Sequence, residues 1–113
     1  MRPTQRFSIR YYETSSGRVP FLDWLQSIHD PVVSQRINAR VVRLLTGNLG
    51  DVRMVGDGVF EMRLAFGGGY RIYAATVGSQ VVLLLCGGDK GSQTKDIAKA
   101  KVFYEDYREK HRR

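Results

Sequence analysis

Apolar and polar positions along the chain change period twice, and those changes outline its elements. Residues Phe7-Ser8-Ile9-Arg10-Tyr11-Tyr12 alternate, setting Phe7, Ile9 and Tyr11 on one face of a strand that Ser15-Ser16-Gly17 ends. The spacing then lengthens: Phe21, Trp24, Leu25 and Ile28 form one helical stripe. Pro20 suits the first turn of that helix, because its φ is already helical and its missing N–H would have no partner there. Asp30-Pro31 repeats the start signal with Asp30 as N-cap, Val33, Ile37, Val41 and Leu44 form a second buried stripe, and Gly47-Asn48 supplies the stop. The two short helices predict an αα-hairpin whose second helix carries Arg36, Arg40 and Arg43 along its outer face.

From Val59 the period returns to two. Phe60, Met62, Leu64 and Phe66 point one way, and Glu61, Arg63 and Ala65 the other. Gly67-Gly68-Gly69 turns the chain into a strand over 70–75, in which Arg71 and Tyr73 share a face. After Gly78-Ser79, residues Val81 to Cys86 are apolar at every position, the pattern of a strand covered on both faces, and Gly87-Gly88 closes it. A polar loop over 89–95 leads to a last helix that starts near Asp96 and carries Ile97, Ala100, Tyr104 and Tyr107 at helical spacing. These elements predict an α+β fold: a helical hairpin and a C-terminal helix on a twisted antiparallel sheet of about four strands. Neither a repeat nor a linker divides the chain, so residues 1–113 form one domain.

Charge narrows the partners. Eighteen Lys and Arg against 11 Asp and Glu leave +7, which points to an anionic partner: nucleic acid, an acidic protein or an anionic membrane surface. A hydrophobic fraction of 42% argues against a disordered chain. Cys86 stands alone, which excludes an intramolecular disulfide framework and a cysteine-based zinc site. Met1 to Arg6 lacks the apolar stretch of a signal peptide, and the run from Val81 to Cys86 is too short to span a bilayer. The expectation is a cytoplasmic protein without a membrane role.

Most chemistry-bearing residues have ordinary uses. His29 sits at a helix end and His111 in a basic tail, Cys86 reads as a buried inert thiol, Trp24 as core, and Gly67-Gly68-Gly69 as a hairpin turn rather than a phosphate cradle. No metal or cofactor is expected. What remains is a set of cations. The hairpin turning at Gly67 to Gly69 brings Arg63 and Arg71 close across the ladder, an unfavourable pairing that an anion between them would relieve. Lys90, after Gly87-Gly88-Asp89, either joins that site or remains a surface-loop lysine. Glu61 shares the strand face of Arg63, as a general base or as the partner of a neighbouring arginine.

These segments carry a resemblance. Val55-Gly56-Asp57-Gly58-Val59-Phe60-Glu61-Met62-Arg63 resembles the "VG-G-V-ELR" strand of the addiction-module killer proteins, the HigB-like branch of the RelE/ParE toxin superfamily. Gly69-Tyr70-Arg71-Ile72-Tyr73 is similar to their "GYRVY" strand, and Leu83-Leu84-Leu85-Cys86-Gly87-Gly88-Asp89-Lys90 to their "LLL-GGDK" turn. Gln93-Thr94-Lys95-Asp96-Ile97, Gly17-Arg18-Val19-Pro20-Phe21 with Trp24-Leu25, and the stretch from Arg36-Ile37 to Gly47-Asn48-Leu49-Gly50-Asp51 extend the match over nearly the whole chain. The resemblance implies a RelE-like fold and the toxin of a type II toxin–antitoxin module. Such a toxin is neutralised by a cognate helix-turn-helix antitoxin and cleaves mRNA on the ribosome without a metal. It implies Arg63, Arg71 and Lys90 as catalytic residues, with Glu61 beside them. This chain departs from RelE itself at Glu61, where a lysine is usual, and lacks a clear counterpart of the C-terminal tyrosine, since Tyr104 and Tyr107 fall on the apolar stripe.

RNA carries its own nucleophile, so a metal-free nuclease chiefly aligns the 2′-OH and stabilises charge on the phosphorus oxygens, work that guanidinium groups suit. Arg36, Arg40, Arg43 and Lys95 are the candidates for ribosome and RNA contact. The alternative is a non-enzymatic, ParE-like toxin that poisons DNA gyrase, which would not need the pair Arg63 and Arg71. For the antitoxin, the C-terminal helix offers Lys99, Lys101, Arg108, Lys110, Arg112 and Arg113 against Glu105, Asp106 and Glu109.

Overall fold

The computed structural model describes residues 6–112, in the order β1 (Ser8–Tyr11), α1 (Pro20–Ser27), α2 (Pro31–Val42), a 3-10 turn (Arg43–Thr46), β2 (Val52–Gly56), β3 (Val59–Arg63), β4 (Arg71–Val77), β5 (Val81–Gly88), a second 3-10 turn (Lys90–Ser92) and α3 (Gln93–Lys110). Residues 1–5 and 113 lie outside the described residues, and with them most of the segment read for a signal peptide and the last cation of the tail. The helix-start residues act as their chemistry dictates: Asp30 accepts the Val32 N–H at 2.9 Å, and Pro20 and Pro31 each open a helix.

The fold is α+β, with two corrections to the expected sheet. It is a five-stranded mixed sheet in the order β1-β5-β4-β3-β2, not an antiparallel one of about four. β1 runs parallel to β5, from Ser8 opposite Val81 to Tyr11 opposite Leu84, because the intervening chain is long enough to return to the same end of the sheet. The added strand is β2, paired antiparallel with β3 across Asp57-Gly58. Both turn residues have positive φ, 57° and 82°, the geometry of a tight two-residue hairpin. β2 is an edge strand with Arg53 and Met54 exposed, so its apolar alternation is weak.

Each sheet face buries its own core. On one, Phe21 of α1, Ile37 and Val41 of α2, and Leu44 meet Phe60, Met62, Ile72, Ala74, Val82 and Leu84. On the other, Ala100 and Tyr107 of α3 meet Val59, Tyr73, Ala75, Leu83 and Leu85. β5 is buried from Val82 to Gly88, as its unbroken apolar run predicts. Its two terminal glycines are a packing requirement. The Trp24 ring lies directly on Gly87 and the Asp96 carboxylate on Gly88, leaving no room for a Cβ at either. α3 begins at Gln93 rather than near Asp96, because Asp89 and Ser92 form a capping box that starts the turn earlier.

The basic face expected on α2 is also corrected. Arg36 and Arg43 are exposed, but Arg40 is only 5% exposed. It flanks the stripe of Ile37 and Val41, and the chain after the second helix folds back so that Gly50 packs on its guanidinium.

Candidate nucleic-acid site at the end of the sheet

Strand register builds the site. Arg63 and Arg71 stand directly opposite one another on β3 and β4, and Gly88 of β5 continues the row. Leu64 and Tyr70, one step on, share a backbone hydrogen bond of 3.1 Å. Arg63–Arg71 is therefore the narrower kind of antiparallel pair, with Cα atoms about 4.5 Å apart. The juxtaposition predicted from the hairpin is present. Lys90 is exposed just beyond Gly88, and a Cβ built on Gly69 would lie 3.2 Å from Lys90 Cβ and 3.1 Å from Arg71 Nη1. The loop thus brings all three cations to one corner.

The next row anchors the first. Arg53, Glu61, Tyr73 and Cys86 lie opposite one another in turn across β2 to β5. Glu61 is fully buried. Its carboxylate lies 3.4 Å from Arg53 Nε and 3.3 Å from Arg71 Nε, and accepts from the Tyr73 hydroxyl at 3.3 Å and Gln93 Nε2 at 2.8 Å. A carboxylate with this many donors suits the ion-pair role better than that of a base. Arg71 Nε forms a close ion pair without a well-aimed hydrogen bond, while Nη1 donates to Gly69 O at 2.7 Å. Among the described residues its Nη2 has no protein acceptor. Arg63 is half exposed and, among the described residues, its side chain pairs with Asp51 alone, at 3.2 Å.

Burial, then the charges of Glu61 and Asp96, push the Tyr73 hydroxyl well above the ordinary tyrosine range, so it stays protonated and acts as a donor. Burial and Asp96 likewise push the Cys86 thiol up to about 12, the inert state expected of it. At Arg40, burial and the neighbouring Arg43 disfavour the charge, with Asp51 opposing them, and neither Nη1 nor Nη2 has a hydrogen-bond partner.

The other candidates are dispersed. Arg36 lies over the Phe66 ring at 5.4 Å, and Arg43 and Lys95 are exposed. Much of the cationic excess of α3 is matched locally, with Arg108 on Glu105 at 2.8 Å, Lys110 on Asp106 at 2.9 Å and Arg112 on Glu109 at 3.1 Å. Among the described residues no group of three His, Cys, Asp or Glu is placed to hold a metal, and no helix is long and apolar enough to cross a membrane. Arg53, Gln93 and Asp51 are the site residues that the sequence pattern missed. The Asp57-Gly58 turn is the signal that reveals Arg53, because pairing back from it sets Arg53 opposite Glu61.

No protein-family model matches the chain. A Haemophilus influenzae protein, itself described as uncharacterized, is 44% identical over 86 residues, which cover 76% of this chain and 87% of that protein.

Proposed function

The chain and the Haemophilus influenzae protein belong to one family, and we propose that the chain acts there as the toxin of a type II toxin–antitoxin module. In this reading it has a RelE-like fold and is a ribosome-dependent mRNA endonuclease, held inactive by a cognate helix-turn-helix antitoxin in the cytoplasm. The observation that carries it is the row of Arg63, Arg71 and Lys90, three cations at one corner with guanidinium donors left over. The motif resemblance adds the reaction class.

The chemistry needs no metal. The RNA 2′-oxygen attacks the adjacent phosphorus, the bond to O5′ breaks, and the proton lost from the 2′-OH ends on O5′. The products carry a 2′,3′-cyclic phosphate and a 5′-OH. Arg63 and Arg71 hold the phosphate oxygens where charge grows, and guanidinium groups match that planar, two-point geometry. Lys90 adds a cation beside them. Glu61 is a positioning residue: gripping Arg71 Nε, it limits the rotations that would blur the aim of the remaining donors. Tyr73 and Gln93 fix Glu61 in turn. Arg36, Arg43 and Lys95 serve ribosome contact, with the salt dependence that counterion release brings.

The test is induction of the protein in bacteria, with mRNA integrity and DNA damage followed in parallel. Rapid mRNA breakdown that Arg71→Ala abolishes supports the nuclease. Intact mRNA with gyrase-dependent DNA breaks contradicts it and favours the ParE-like alternative.

A further inference from the structure

Around the corner from the cation row, the end of β5 opens into a cleft of about 830 Å3 that the reaction leaves unused. β1 stops opposite Leu84, so Cys86 to Gly88 run on without a strand on that side, between α1 and α3. The cleft lies beside Tyr70 and Asp89, next to Arg71 and Lys90 in the chain, and has room for a nucleotide-sized ligand.

Its lining mixes aromatic and charged side chains, and one of its polar groups is buried. Trp24, Tyr70 and Phe103 line it, with Trp24 and Tyr70 tilted against each other at 6.4 Å. Gly87 and Gly88, lacking a Cβ, let the Trp24 ring and the Asp96 carboxylate lie close against the strand. Asp96, also in the lining, is only 7% exposed, yet a single side-chain donor serves it: Ser92 Oγ, on Oδ2. Among the described residues Oδ1 accepts no hydrogen bond. Oδ1 is not sealed from solvent, so a donor entering the cleft can take it.

We propose that this cleft is a nucleobase subsite selective for guanine, seating a base of the RNA whose phosphate lies on Arg63 and Arg71; it rests on the nuclease reading for its substrate. The aromatic walls take the base plane, and stacking on them is available to any base. Selectivity comes from Asp96. Guanine alone among the four common bases places two N–H donors, N1–H and N2–H, side by side on its Watson–Crick edge, so that both can converge on Asp96, one on Oδ1 and the other sharing Oδ2 with Ser92 Oγ. Adenine and cytosine set an acceptor beside their amino group, and that acceptor would face the carboxylate's charge. Uracil offers one donor between two carbonyls. Asp23, Asp30 and Asp89 in the lining would also suit a partner protein's arginine, but Arg18 and Lys99 beside them and the row of cations outside favour RNA, whose phosphates they can hold.

Trp24 is the chain's only tryptophan, so its emission reports on this cleft directly. The purified protein is titrated with GMP, AMP, CMP, UMP and IMP, the last lacking the N2 amino group. GMP should quench Trp24 at concentrations about tenfold or more below the other four, given what a two-point contact is worth. Asp96→Asn should abolish that preference, while Arg71→Ala weakens all five nucleotides and preserves it. Equal quenching by all five, no quenching, or GMP and IMP alike would overturn the proposal without need of the variant. Stronger quenching by arginine amide than by GMP would overturn it in favour of a peptide partner. A guanine preference with no RNA cleavage would leave the cleft standing and remove the nuclease; cleavage with no preference would do the reverse.

Discussion

Two regions of this molecule draw arginine out of water, Arg71 for the most part and Arg40 almost wholly, and they treat the charge in opposite ways. At the corner of β3, β4 and β5, Arg71 sits against buried Glu61, which also holds Arg53, Tyr73 and Gln93. Under the chain after α2, Arg40 is buried beneath Gly50 with both terminal nitrogens unpartnered, and Asp51, the carboxylate that offsets its charge, pairs with Arg63 instead. The first arrangement fixes donors in place and leaves some over. The second leaves both terminal nitrogens of Arg40 without an acceptor among the described residues. The difference lies in the buried counter-charge: Glu61 aims Arg71, and no carboxylate aims Arg40 among the described residues.

Removing the counter-charge should have the largest effect on stability. Glu61→Ala leaves the largely covered Arg71 without its counter-charge and removes the acceptor of Tyr73 and Gln93, and unfolding in urea should show a loss of about 3–5 kcal/mol. A loss below about 1 kcal/mol would mean that the corner is not held as a unit. Tyr73→Phe is milder: deleting one donor to a buried carboxylate should cost about 1–2 kcal/mol. It also tests the pH dependence. Because the folded state raises the Tyr73 pKa, its contribution is complete below the ordinary tyrosine value near 10 and is lost as pH rises from there through the folded value. Wild type should lose stability above about pH 10, and Tyr73→Phe should flatten that fall in thermal melts. The smallest effect belongs to the other region. Arg40→Met replaces an orphaned guanidinium with an apolar chain and should leave stability within about 1 kcal/mol of wild type or raise it. A loss above about 3 kcal/mol would show Arg40 to be partnered and end the contrast.

Much of this organisation was legible in the chain, for reasons that differ by element. The stripe of Ile37, Val41 and Leu44 and the unbroken run of β5 announce themselves because burial selects side chains at fixed periods. The pairing of Arg63 with Arg71 follows from a hairpin, where turn position sets register. β2 escaped because an edge strand with Arg53 and Met54 exposed shows little alternation, and the parallel β1–β5 pairing because it joins segments far apart in the chain. Arg40 was misread for a third reason. Helical spacing sets it near Arg36 and Arg43, but whether that face meets water depends on the later loop that Gly50 belongs to.

The most direct test of the central claim is cleavage of a defined mRNA on purified ribosomes, with product ends analysed. Wild type should leave 2′,3′-cyclic phosphate and 5′-OH ends. Arg71→Ala and Arg63→Ala should each lose cleavage by about 100-fold or more, as removing a donor to transition-state charge does, while still unfolding cooperatively above the assay temperature, Arg71→Ala at a lower midpoint because it leaves buried Glu61 without that partner. Cleavage at the wild-type rate by a folded Arg71→Ala protein would contradict the account.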